Sequence, residues 1–180
     1  VKEKLKLNSS AKERIAKYAA GLILKNDFVF IDAGTTTEKM IEYISQKDAT
    51  FVTNAFNHAY LLARRGFKVY LTGGEVKAST EALVGISCVE TINHYNFTKC
   101  FLGTNGITPE TGFTTHDIDE ASVKRAVAQK SYVTYILSDN SKFGKSAAIT
   151  FADIKKACII TDRLQDNRYR DLTIIKEVGE

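Results

Sequence analysis

Short apolar runs alternate with amphipathic stretches along almost the whole chain. Seven runs read as strands: FVFID (28–32), TFVT (50–53), KVYLT (68–72), KCFLGT (99–104), VTYILS (133–138), ACIIT (157–161) and LTIIKEV (172–178). Each is rich in β-branched or aromatic residues, and none keeps a strict in-and-out alternation. Runs of that kind suit strands covered on both faces, as in a parallel sheet under helices. The stretches between most of them read as helices. The first is predicted from Ser10 to about Lys25, with Ser10 and Glu13 as a capping-box pair and Ile15, Ala16, Ala19, Ala20 and Ile23 forming one apolar stripe. Further helices are predicted over 37–45, 55–65, 81–93 and 118–130. The alternation predicts an α/β fold on a mainly parallel sheet flanked by helices. Pro109 is the only proline and no repeat or low-complexity linker interrupts the pattern, so 1–180 is expected to form a single domain.

A length of 180 residues suits one full hydrophobic core. With 44% hydrophobic and 26% charged residues the composition is that of a water-soluble globular chain. No apolar run approaches the roughly 18 to 20 residues of a membrane span, so a cytoplasmic protein without membrane contact is expected. Cys88, Cys100 and Cys158 lack CxxC spacing, which favours reduced thiols and argues against a metal site. No cofactor is expected. The formal charge of +4 and pI of about 8.9 come from interspersed charges, without a basic stripe for nucleic acid. The chain opens at Val1, without the pattern of a signal peptide, and a fragment or processed product is expected.

The chemistry concentrates where strands end. In open parallel sheets, ligands bind beyond the carboxyl ends of the strands. Phe28 to Thr37 runs from a buried-strand signature into Gly34 and then Thr35, Thr36 and Thr37, where a helix begins. Hydroxyls and free N–H groups at a helix N-terminus make an anion cradle. The later strand ends have a similar make-up: Thr53 and Asn54; Gly73 and Gly74; Gly103, Thr104, Asn105 and Gly106; and Ser138-Asp139-Asn140-Ser141-Lys142. Glycines admit close backbone approach, and Thr and Asn supply short neutral donors. Such a rim suits a polyhydroxylated anion, above all a sugar phosphate, with each hydrogen bond to a charged group contributing about 1.5–3 kcal/mol.

Other phosphate and metal motifs are absent. GTTTEK lacks the P-loop spacing, and no GxGxxG follows a strand. His58, His94 and His116 have no metal-ligand spacing; His58 reads as a packed or surface residue and His116 as part of a solvated acidic loop.

The ordered set DAGTTT, TN, TGGE, GTNGI, Glu120-x-x-x-Lys124 and DNSKFG resembles the C-terminal effector domain of DeoR-family transcriptional repressors. The likeness runs from AKERIAKYAAGLI to Asp162. The resemblance implies a ribose-5-phosphate isomerase and CoA transferase-like fold, a homo-oligomer and a phosphorylated sugar effector. It also implies operator DNA as a partner through an N-terminal winged helix-turn-helix that this chain does not include.

Ribose-5-phosphate isomerases share the DxSK signature, here Asp139, Ser141 and Lys142, which makes Lys142 the first choice for a cationic phosphate contact. GTNGI stands where their acidic DGADE loop would be, and counting back from DxSK puts Lys124 in place of the catalytic glutamate. An ammonium cannot take a carbon-bound proton at neutral pH unless its pKa is strongly depressed. Lys124 either binds ligand oxygens or is an exposed helix lysine paired with Glu120. Asp32 either orients its loop or meets a ligand hydroxyl. Binding groups kept and catalytic groups lost describe a sensor and not an enzyme. The alternative is an active phosphosugar isomerase with its base among Glu75, Glu81 and Glu120; a CoA transferase would need a glutamate nucleophile, and no loop glutamate stands out.

Overall fold

A computed structural model describes the backbone of residues 2–179 and the side chains of residues 8–179. The chain opens with α1 (Lys2–Ala20), then β1 (Phe28–Ile31), α2 (Thr35–Tyr43), β2 (Thr50–Thr53), α3 (Phe56–Arg64) and β3 (Lys68–Leu71). A hairpin of β4 (Glu75–Lys77) and β5 (Ala82–Val84) leads into α4 (Ile86–Asn93) and β6 (Phe97–Leu102). There follow β7 (Gly106–Thr108), β8 (Gly112–Thr115), α5 (Ile118–Gln129), β9 (Ser131–Leu137), β10 (Ile149–Ala152), β11 (Cys158–Thr161) and β12 (Ile175–Glu177).

All seven predicted strand runs enter one parallel sheet, in the order β12-β11-β9-β6-β1-β2-β3. Successive side chains of β1 face opposite ways, and both faces are covered. Val29 and Ile31 pack with Ile15, Met40 and Leu62 under α1, α2 and α3, while Phe30 packs with Ile92, Val127 and Phe113 under α4, α5 and β8. Two buried clusters therefore sandwich the sheet, which is why its strands read as continuous apolar runs. The sheet is laid down outward from β1 in both directions. The chain runs β1-β2-β3 to one edge and then returns beside β1 with β6, leaving a crevice between the carboxyl ends of β1 and β6.

Three local expectations are corrected. The first helix is already formed at Ser10, because the Lys-, Glu- and Leu-rich residues before it favour helix, and the Ser10 hydroxyl accepts from Arg14 (2.8 Å) within the helix. That helix ends at Ala20, with Gly21 N–H bonded to Lys17 O (3.3 Å) and Tyr18 O (3.1 Å), and a turn carries the chain to β1. The helix predicted over 81–93 begins only at Ile86, since Ala82–Val84 pair as a strand with Glu75–Lys77. An antiparallel sheet of order β10-β8-β7 has no counterpart in the sequence reading. Its strands are three or four residues long, and each carries one large side chain, Ile107, Phe113 or Phe151, into the core.

Candidate functional site

At the β1/β6 crevice the last residues of the strands are tied together. Asp32 N–H donates to Phe101 O (3.0 Å), and Gly103 N–H donates to Asp32 Oδ2 (3.0 Å). Lys124, from α5, reaches over the strand ends to form an ion pair with Asp32 Oδ2, and its ammonium also donates to Gly103 O (3.1 Å). The two side chains are almost fully buried, with relative exposures of 10% for Lys124 and 4% for Asp32. Lys124 Nζ lies 5.5 Å from the centre of the Phe151 ring, adding a cation–π contact. Lys124 is therefore neither exposed nor paired with Glu120, because α5 turns this side chain inward.

Beyond Asp32 the chain turns through Ala33 and Gly34 into α2. The first intrahelical bond runs from Glu38 N–H to Gly34 O (3.0 Å), so the N–H groups of Thr35, Thr36 and Thr37, which line the crevice, have no acceptor within the helix. Thr37 is buried and serves the turn: its hydroxyl lies 2.6 Å from Asp32 O and 3.0 Å from Gly34 O. Behind it, His58 Nε2 on α3 lies 3.1 Å from Thr37 Oγ1 and 3.2 Å from Gly34 O. With Thr37 donating to Asp32 O, these distances fit a neutral imidazole protonated at Nε2. His58 Nδ1 is buried without a hydrogen bond, and burial pulls the pKa of His58 down from its ordinary value, outweighing the influence of Glu38 and Asp32. Asn54 closes the other side, accepting from Ala33 N–H (3.3 Å) and donating to Leu83 O (3.1 Å). Thr35 and Thr36 are left facing the opening, and Lys12 of α1 donates to Thr35 Oγ1 (3.1 Å).

The remaining walls come from three loops. Asp139 accepts from Ser141 N–H (2.9 Å), and Asp162 accepts from Asn140 N–H (2.8 Å). These bonds fix the short turn 140–142 that brings Lys142 to the cleft. Thr104 donates to Thr114 O (3.0 Å), and Asn105 Oδ1 accepts from Thr115 (2.8 Å), which anchors that loop to β8. From the hairpin, Thr80 donates to Glu120 Oε1 (3.0 Å). Lys77 bridges Asp117 (2.8 Å) and Glu120 (3.5 Å), and with the Glu120 N–H it holds the Asp117 carboxyl below the usual carboxylate range.

The resulting cleft encloses about 280 Å³. It gathers Asp32, Gly34, Thr35, Thr36, Thr37, Asn54, Gly103, Thr104, Asn105, Lys124, Asp139 and Lys142 from the predicted set. The other four lie outside its lining. Thr53 is buried and accepts from Ala55 N–H (3.2 Å). Gly73 and Gly74 form the turn into the hairpin, and a Cβ on Gly74 would meet Val84 O at 2.5 Å. Gly106 lies in β7, where a Cβ would meet Lys145 O at 2.3 Å. Of the three carboxylates considered as isomerase bases, only Glu120 lines the cleft; Glu75 and Glu81 are exposed outside it. Lys12, Thr80 and Thr115 were not foreseen. Lys12 carries no positional signal in an amphipathic helix, and the other two belong to the hairpin and the small antiparallel sheet that the apolar pattern does not reveal.

Cys88, Cys100 and Cys158 are unpaired, and burial pushes the Cys100 thiol up to about 11. Among the described residues there is no cluster of metal-ligating side chains, and no helix is long and apolar enough to cross a membrane.

The strand order and the cleft at the reversal of the sheet define a ribose-5-phosphate isomerase-type α/β domain. Ribose 5-phosphate isomerase A of Methanocaldococcus jannaschii superposes with a TM-score of 0.54 at 14% identity, covering 76% of this chain and 55% of the other. The translation initiation factor eIF-2B of Pyrococcus horikoshii gives 0.57 at 14% identity, covering 81% and 52%. An isomerase and an initiation factor share the fold, so the fold alone does not choose a function.

The DeoR C terminal sensor domain matches residues 7–163, and the chain belongs to the DeoR family. FruR of Bacillus subtilis, an uncharacterized HTH-type transcriptional regulator, is 41% identical over 180 residues, 98% of this chain and 72% of its own length. GlcR of the same species, an HTH-type transcriptional repressor, is 33% identical over 171 residues, 94% of this chain and 66% of its own length. The fold and family expected from the strand-end motifs are both borne out.

Proposed function

We propose that this chain is the phosphosugar-sensing domain of a transcriptional repressor of sugar metabolism and does not itself catalyse a reaction. In this reading the phosphate lies against the start of α2, between Lys12 and Lys142, and the hydroxyls reach Asn105, Thr115 and Glu120. Each charge-assisted bond to the phosphate contributes about 1.5–3 kcal/mol, enough for a few of them to support micromolar affinity. The observation that carries the non-enzymatic reading is the Asp32–Lys124 pair. Lys124 stands where the resemblance puts the isomerase's base, and its charge is committed to Asp32 and Gly103.

The domain 1–180 would act as the effector-binding and oligomerising part of a cytoplasmic homo-oligomer. It would reach operator DNA through a winged helix-turn-helix outside this chain. Ligand binding would alter the spacing of the DNA-binding parts, which requires different affinities for two arrangements, commonly about 1–3 kcal/mol of coupling.

The test is thermal stability against phosphosugars and their unphosphorylated counterparts. At least one phosphosugar is expected to raise the melting temperature while its sugar alone does not; stabilisation by the unphosphorylated sugar alone overturns the phosphate assignment. The second reading, an isomerase using Glu120, rests on that carboxylate's place in the cleft. Turnover of pentose or hexose phosphates that is abolished in Glu120→Gln would replace the sensor reading with it.

A further inference from the structure

The charged side chains of the cleft divide into those already engaged within the protein and those left for a ligand. Asp32 and Lys124 cancel each other as a buried pair. Asp139 takes the Ser141 N–H (2.9 Å) and the Ser141 hydroxyl on its Oδ1, which holds the side chain in the turn, with no cation of the described residues within ion-pair distance. Lys12 and Lys142 have no carboxylate within ion-pair distance among the described residues. Their two positive charges match one phosphomonoester dianion.

Glu120 marks the opposite condition. It shares Lys77 with Asp117, so two carboxylates stand against one ammonium, and Lys77 itself lies outside the lining of the cleft. Its Oε1 is held by Thr80 (3.0 Å), while Oε2 has no hydrogen-bond partner among the described residues. The side chain is 20% exposed and pinned from the hairpin side, so it cannot swing freely away from an approaching ligand. A fixed carboxylate oxygen accepts hydrogen bonds from sugar hydroxyls and repels a second anion.

We infer that the cleft selects phosphomonoesters of neutral polyhydroxylated molecules, and that Glu120 is the specificity-determining residue that excludes a second phosphate. The inference rests on the phosphosugar reading above and deepens it. A ligand with phosphates at both ends would place one dianion between Lys12 and Lys142 and the other beside Glu120. Like-charge juxtaposition in a partly desolvated site costs several-fold to many-fold in affinity.

The experiment is calorimetric titration of the 180-residue chain with matched pairs: fructose 1-phosphate and fructose 6-phosphate against fructose 1,6-bisphosphate, and glucose 6-phosphate against glucose 1,6-bisphosphate. Inorganic phosphate serves as a probe of the phosphate end alone. Wild type is expected to bind at least one monophosphate roughly tenfold or more tightly than its bisphosphate. Glu120→Gln keeps a hydrogen-bonding side chain of the same shape and removes the charge. It is expected to shrink that ratio to within about threefold while leaving the affinity for inorganic phosphate unchanged. A bisphosphate bound as tightly as its monophosphate by wild type, or a ratio unaltered in Glu120→Gln, overturns the inference and leaves the phosphosugar reading standing. Loss of inorganic phosphate affinity in Glu120→Gln shows that the carboxylate supports the phosphate end and overturns it too. Failure of wild type to bind any of these esters or inorganic phosphate overturns both.

Discussion

Replacing Lys124 by alanine isolates the interaction at the centre of the cleft. The substitution leaves Asp32, only 3% exposed, with the Gly103 N–H at 3.0 Å as the remaining donor to its Oδ2. A carboxylate buried beside one neutral donor has lost most of the compensation for its desolvation. Breaking a buried pair from one side typically costs about 3–5 kcal/mol. Lys124 as a residue is 8% exposed, and its removal also forfeits the smaller cation–π contact of its ammonium with Phe151. For a domain of this size each kcal/mol lowers the melting temperature by about 2–4 °C, so a fall of roughly 6–20 °C is expected. Urea unfolding at pH 7, followed by both fluorescence and circular dichroism, gives the free energy and tests for a two-state transition. The double variant Asp32→Asn/Lys124→Met removes both charges at similar volume, and it is expected to recover most of the loss because no unpaired charge is left behind. A loss below about 1 kcal/mol in Lys124→Ala, or a double variant no more stable than the single one, would refute this account of the pair.

Three further outcomes are expected. Lys142→Ala should abolish most of the melting-temperature rise given by a phosphosugar while moving the ligand-free value by no more than about 2 °C, since no ion pair within the described residues uses that ammonium; a large ligand-free loss would mark Lys142 as structural. Burial holds the pKa of His58 below its ordinary 6.5, so between the folded and unfolded values only the unfolded chain binds the proton. The stability His58 contributes is complete above pH 6.5 and is lost as the pH falls through the folded value, by up to about 1.4 kcal/mol per pH unit; urea unfolding at successive pH values should show a shallower slope in His58→Gln, and equal slopes would contradict the assignment. Gly74 has φ +116°, and a Cβ there would lie 2.5 Å from Val84 O and 2.9 Å from Cys88 Cβ. Gly74→Ala should therefore cost about 2–4 kcal/mol in the same assay, whereas a change under about 0.5 kcal/mol would show that the hairpin moves away at little cost.

The parallel sheet was legible because its central strands are buried on both faces, and burial writes itself directly into runs such as FVFI and CIIT. The strand-end loops were legible for a related reason: each apolar run stops abruptly at small polar residues. What escaped was structure held by tertiary contacts. The strands β7 and β10 each send one large residue inward, a signal too short for periodicity, and β5 continued an apolar pattern that suits the helix following it equally well. At the site, Asp32 and Lys124 were both identified, yet 92 positions separate them, and no local pattern reports a pairing over that distance. Lys12 was missed because α1 meets the cleft through packing on α2, a relation that the spacing within one helix does not encode.

The Asp32–Lys124 pair also constrains how this cleft can change by descent. Either residue altered alone strands the other's charge in a buried setting, so an intermediate carrying one change is selected against for its stability before any new chemistry can be tested. Placing a carboxylate at position 124 is worse still, since it would set two acids side by side at the end of β1. A proton-abstracting carboxylate at position 124 would therefore require at least two coordinated substitutions. The loops that line the rest of the cleft carry no such linkage: Asn105, Thr115 and Lys142 are held by contacts outside the pair. Diversification along a lineage should accordingly move through these positions, altering the lining of the cleft while the Asp32–Lys124 centre stays fixed.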